Sequence, residues 1–326
     1  MRWSLLLIAP ACSFGARSAG TTTDAPAGID VPHADAQLDA PPVSCMDRWM
    51  AHTVRFQPPT EMIELNTTGY ERDAFLSDDE LNIYFSAVRA DSLPTGYQDI
   101  YTANRSSTSE QFGPVTKFLG ASTTTGAEGK MSMTADGTQL FVATNISGSG
   151  SKGGTDIWFS SKNAGGWAPL GQGKAGMLND PGEQLDPIVT PDGTAIYFAP
   201  TSGLPQQIWV STRTDETKNF GAPTELTELA DPGGQGTADP AISADQKLII
   251  VTSARTGTTG VSDLWYATRN DPAGPFGALQ LVPDINSADY DGDAHLSHDG
   301  CRIYFDSTRN NPAAGDWDLF FAQQQL

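Results

Sequence analysis

A phrase of about 55 residues is written five times along this 326-residue chain. One copy runs Asp186-Pro-Ile-Val-Thr-Pro-Asp192-Gly193, then Ile196-Tyr-Phe198, then Ile208-Trp209, then Phe220-Gly-Ala-Pro223. Four short β-rich runs per repeat, each bounded by turn residues, describe one blade of a β-propeller. The first hairpin turn of each copy falls at Asp79, Asp136-Gly137, Asp192-Gly193, Asp245 and Asp299-Gly300. Asp-Gly suits such a turn because Gly accepts positive φ and Asp bonds back to the backbone. The copies at Asp79-Glu80 and Asp245-Gln246 have lost the Gly, so looser turns are expected there.

The two chain ends set the blade count. The fifth copy stops at Leu326, after its third strand. A spare fourth-strand phrase, Phe56-Gln-Pro-Pro59-Thr-Glu, precedes the first copy and parallels Phe220-Gly-Ala-Pro223-Thr-Glu. The sequence therefore predicts an all-β, five-bladed propeller over residues 49–326, its last blade completed by an N-terminal strand. Cys45 and Cys301 fall at the same end of that composite blade, where a disulfide would lock the closure. Two free buried thiols are the alternative.

Residues 1–11 carry Arg2, an apolar run and small residues, the pattern of an export signal. Cys12 follows as in a bacterial lipobox, so lipidation at Cys12 is expected; plain secretion is the alternative. Residues 12–48 are rich in Ala, Pro, Asp and Thr and read as a disordered tether. No apolar run approaches the roughly 18 residues of a membrane span, so membrane contact is expected only through that anchor. The formal charge of −20 repels phosphate backbones and rules against nucleic acid. Basic proteins, cationic ligands and divalent metals suit it better. The chain is expected to be a monomer.

The phrase Leu185-Asp-Pro-Ile-Val-Thr-Pro-Asp-Gly193 followed by Ile-Tyr-Phe resembles the TolB-like, WD-like propeller repeat of bacterial envelope proteins. The copy from Ile285 to Arg309 is similar. The resemblance covers residues 52–326 and implies a periplasmic or outer-membrane location and a protein-binding role. TolB propellers have six blades and an extra α/β domain. Six blades are thus the alternative count here, and the chain has no room for that domain.

Candidate sites gather where the first strand of each blade begins, at the channel mouth. Asp73, Glu128, Glu183, Asp186, Asp239, Asp293 and His295 form the candidate ligand ring, with Glu71 beside them. Repetition makes most of these acids look like the repeat's own structural position. Three functions are carried forward. The first is a non-catalytic binding or scaffold module for an envelope protein or glycan, with no cofactor. The second is a glycosidase-like enzyme using Glu183 and Asp239 as its acid and base. The third is a calcium-dependent, lectin-like module, with Asp289, Asp291 and Asp293 at the alternate spacing of calcium loops. His295 and His298 lie three apart on a strand, on opposite faces, and cannot share a zinc ion. Arg89, Arg255 and Arg309 end second strands and are expected to pair with Asp99, Asp263 and Asp318 of the third strands.

Overall fold

The computed structural model describes residues 43–310 and 316–325. The export signal (1–11), Cys12 and nearly all of the tether lie outside the described residues. A helix spans Cys45–Met50, overlapping the last residues of the expected tether. Ser44 and Asp47 form a reciprocal capping box at its start, and Cys45 and Trp49 are buried.

Five four-stranded antiparallel sheets follow. Blade one consists of Glu71–Leu76, Asn82–Ala87, Asp99–Asn104 and Thr116–Lys117. Blade two consists of Glu128–Met133, Gln139–Thr144, Asp156–Asn163 and Gly166–Trp167. Blade three takes Gln184–Val189, Ala195–Pro200, Trp209–Thr212 and Thr224–Glu225. Blade four takes Ala238–Ile242, Leu248–Ser253, Asp263–Thr268 and Gln280–Leu281. Blade five has Asp291–Leu296, Arg302–Ser307 and Asp318–Gln323, and its outer strand is the N-terminal Thr60–Glu61. Thr60 pairs with Phe321 and Glu61 with Phe320, so the ring closes as the repeat count requires. The first strands adjoin one another in order around the axis.

The hairpin turns show why the repeat is written as it is. In each blade a Ser or Thr hydroxyl and the backbone N–H two residues past the Asp both reach one Asp oxygen. Thr134 and Thr138 do so at Asp136, and Ser77 and Leu81 at Asp79. The residue after the Asp takes positive φ: Gly137 at 64°, Gly193 at 66° and Gly300 at 71°. The copies without Gly are not looser. Glu80 and Gln246 adopt φ of 56° and 58° in the same turn. Their side chains bridge blades instead, Glu80 accepting from Tyr304 of blade five and Gln246 from Tyr197 of blade three.

Second strands are buried along their length, as in Ile-Ile-Val of blade four and Leu-Phe-Val of blade two. Aromatic and aliphatic side chains between neighbouring blades form the core. The closure carries an additional clasp. Cys45 is disulfide-bonded to Cys301 with Cα atoms 5.1 Å apart. Trp49 Nε1 donates to Gly300 O at 3.0 Å, and Gln324 Nε2 donates to the Gly300 and Cys45 carbonyls. The bond spans 256 residues of sequence, for which loop entropy gives about 5 kcal/mol.

Candidate functional site

Two acid-rich columns run around the first strands, two residues apart. The outer column is Glu71, Glu128, Gln184, Thr237 and Asp291, all buried. The inner column is Asp73, Lys130, Asp186, Asp239 and Asp293. A register shift sits beside it in every blade, between Arg72 and Phe75 in blade one and between Gly292 and His295 in blade five. The four Asp residues stand there at φ of 48–60°. Asp tolerates this left-handed region better than most residues, and a bulge re-aims the side chain. The sequence thus turns four carboxyls toward the axis.

These carboxyls converge. Oxygens of Asp73, Asp186 and Asp293 lie within 4.8 Å of one another, and Asp239 is a close charged neighbour of Asp186. Arg72 reaches Asp293 Oδ2 at 2.6 Å and Asp306 Oδ2 at 2.8 Å. Lys130, fully buried, lies 4.0 Å from Asp293 Oδ1 and donates to Ala294 O. Ser86 Oγ donates to Asp73 and the Tyr290 hydroxyl to Asp239. Above them opens a cavity of about 630 Å³, lined by Arg72, Asp73, Asp186, Asp239, Gln206 and Tyr290 among others. A second depression of about 330 Å³ shares Arg72 and Gln98 with it and presents Tyr70, Tyr97 and Trp317. The Arg72 guanidinium stacks 4.1 Å over Trp317.

The electrostatics follow from the head count. Five carboxyls (Asp73, Asp186, Asp239, Asp293 and Asp306) surround two cations, Arg72 and Lys130. Burial, reinforced by Asp293, pushes the Asp73 carboxyl up to about 7. Burial and the neighbouring Asp239 and Asp293 hold Asp186 well above the carboxylate range, and burial with Asp293 raises Asp239. Asp293 goes the other way: burial would raise it, but Arg72 and Lys130 outweigh burial and lower it. Asp306 shares Arg72 yet lies well above its usual range, through burial and the Asp293 charge. One guanidinium cannot neutralise both partners, and Asp293 has Lys130 as well.

Other expected site residues lie elsewhere. Glu183 is exposed, and Gln184 takes its column position. A one-residue offset on a strand sends a side chain to the other face. Glu128 is turned into its own blade, accepting from Thr123 N, Thr123 Oγ1 and Thr144 Oγ1. Burial pushes its carboxyl up to about 7. Asp291 commits one oxygen to Ser287 N and the other to Arg309 at 2.5 Å, while Asp293 faces the axis. The run Asp289-Tyr-Asp291-Gly-Asp293 therefore does not present its carboxyls as one set. His295 lies in the channel at the turn-side end, edge-on to Phe75 at 5.0 Å between ring centres, and burial together with Lys130 lowers it to about 3. His298 is exposed, 3.6 Å from Asp78.

The expected Arg–Asp pairs within blades form differently. Arg89 and Arg309 bridge to Glu71 and Asp291 of the outer column, and Arg255 donates to Thr237. Asp99 is held by Lys117 at 2.7 Å, and Asp263 by the Thr259 and Gly260 amides. A second strand's end lies beside the start of the first strand it pairs with, which makes the outer column the nearer acid.

Arg72, Lys130, Tyr290 and Asp306 were not expected at the site. Lys130 was legible in principle, as the one break in the Asp column. The other three hold positions that the repeat does not fix.

No protein-family model matches the chain, and no curated protein matches it. Solved structures are similar in fold. A TolB-type protein from Agrobacterium tumefaciens is 17% identical, with 79% of this chain and 84% of that one covered and a TM-score of 0.46. TolB from Acinetobacter baumannii is 17% identical over 83% of this chain and 55% of its own, with a TM-score of 0.44. The α-L-arabinofuranosidase PaAbf62A from Podospora anserina, solved with cellotriose, is 12% identical over 79% and 91%, with a TM-score of 0.48.

Proposed function

We propose that this propeller is an exported envelope binding module whose acidic pit receives a cationic side chain of a partner protein. The observation that carries this reading is the imbalance of five carboxyls against two internal cations beneath a 630 Å³ opening. Asp73, Asp186, Asp239 and Asp306 are all shifted toward the protonated form. A lysine or arginine of the partner would favour their ionised forms, releasing protons as it binds. The net charge of −20 steers a basic segment toward the mouth. The aromatic depression beside the pit suits the apolar stem of a neighbouring basic residue. The disulfide and the leader-like 1–11 support export, and Cys12 with its tether supports a lipid anchor.

The glycosidase reading has less support. A retaining pair of carboxyls stands about 5–5.5 Å apart and an inverting pair about 6.5–9.5 Å, with the sugar between them. Of the expected pair, Glu183 is exposed while Asp239 is buried in the inner column.

A short polylysine peptide and a panel of neutral oligosaccharides, each titrated calorimetrically at low salt, test the proposal. Peptide binding should weaken with salt, strengthen from about pH 5.5 to about pH 8 as Asp73 loses its proton, and fall about tenfold in Asp239→Asn, or ~1.4 kcal/mol. Saccharide binding without peptide binding, release of reducing sugar, or peptide affinity indifferent to Asp239→Asn would each overturn it.

A further inference from the structure

The oxygens of Asp73, Asp186 and Asp293 are the donors a calcium ion would use, all within 4.8 Å of one another. The ring, however, already contains a cation at that level. The inner column has five places, and blade two fills its place with Lys130. Its side chain is fully buried, and Arg72 holds Asp293 through the other carboxylate oxygen.

We propose that Lys130 is a built-in counter-cation that takes the place of a metal, so that the carboxyl cluster is closed to divalent ions. Asp293 Oδ1 is buried, lacks a hydrogen-bond partner, and lies 4.0 Å from the ammonium. An ammonium has three donors. One goes to Ala294 O at 3.3 Å, and the charge acts on Asp293, Asp186, Asp239 and Asp73, in that order. A divalent ion among these oxygens would stand a few ångströms from the buried ammonium, a like charge. Such repulsion is strong at low local dielectric. Asp73, Asp186 and Asp239 still line the cavity above the ammonium. The inference concerns divalent ions and stands whether or not the pit binds a basic peptide.

Calcium chloride alone is the probe, read by calorimetry and thermal melting on the full chain. The wild-type protein should show no calcium heat, and its Tm should be the same in calcium and in chelator. Lys130→Met and the more polar Lys130→Gln should each bind one calcium ion at least tenfold more tightly than wild type and gain several degrees of Tm. If either variant folds only when calcium is added, that rescue supports the proposal equally. A chelator-reversible rise in wild-type Tm would overturn it. So would indifference of both variants to calcium, whether or not they fold.

Discussion

The outer and inner columns occupy the same five strands, two residues apart, and both are acidic. They differ in where their partners come from. Glu71, Glu128 and Asp291 are satisfied within their own blade, by an amide of the preceding loop and by a hydroxyl of that loop or a guanidinium at the end of the paired second strand. Asp73 accepts from Ser86 of its own blade, but the inner carboxyls also meet residues of other blades: Arg72 of blade one holds Asp293 of blade five, Lys130 of blade two faces it from another side, and Tyr290 of the fifth repeat donates to Asp239 of blade four. The first arrangement saturates its acids and makes them structural. The second leaves carboxyls in excess, and that excess is what a ligand can use.

Three substitutions probe this contrast, in falling order of effect. Asp291→Ala removes an outer acid and strands Arg309, whose side chain is only 18% exposed. Breaking a buried pair is costly, so denaturant unfolding should show a loss of about 3 kcal/mol, with peptide affinity of the folded protein unchanged. A change in affinity would break the division between the columns.

Asp73→Asn should do the reverse. The folded carboxyl titrates at about 7 against an ordinary 3.8. The folded state therefore holds the proton more tightly than the unfolded chain. This group's contribution to stability falls as pH rises from about 4 to about 7. Asn removes that penalty, keeps an acceptor for Ser86, and tolerates the left-handed backbone. A stability gain of roughly 2 kcal/mol is expected at about pH 8, vanishing near pH 4. This is half the full linkage value of roughly 4 kcal/mol, since neighbouring carboxyls redistribute the proton. Equal effects at both pH values would remove the charge-excess argument.

Thr144→Val deletes one of the three bonds to Glu128. It should cost about 1 kcal/mol and leave peptide binding untouched, as paired denaturation and calorimetry would show.

The ring was legible because its signals are local. An Asp-Gly turn, a β-branched strand and an aromatic-Pro edge each follow from a few adjacent residues, and five copies average out the irregular ones. The composite fifth blade was legible because a surplus phrase at one end matched a deficit at the other. Glu80 and Gln246 looked like weakened turns because their role, reaching Tyr304 and Tyr197, is set by the neighbouring blade. The site was half legible for the same reason. The Asp column repeats, so it could be seen. Lys130 breaks the column, Arg72 and Asp306 enter from one blade each, and Glu183 stands one residue out of register. Which of two adjacent residues faces the axis is decided by the bulge, and the bulge is not written in any short motif.

The clasp between Cys45 and Cys301 also changes how the molecule carries load. A force applied between residues 43 and 325 would run through the sulfur bridge and bypass every blade lying between the two cysteines. Only the short stretch beyond Cys301 is in series with the pull, and the rest of the ring hangs slack beside it. Reduction of that one bond would place all five blades under tension in turn. The oxidised protein is in this sense a sealed washer: a pull would load the second and third strands of blade five first and leave blades one to four slack.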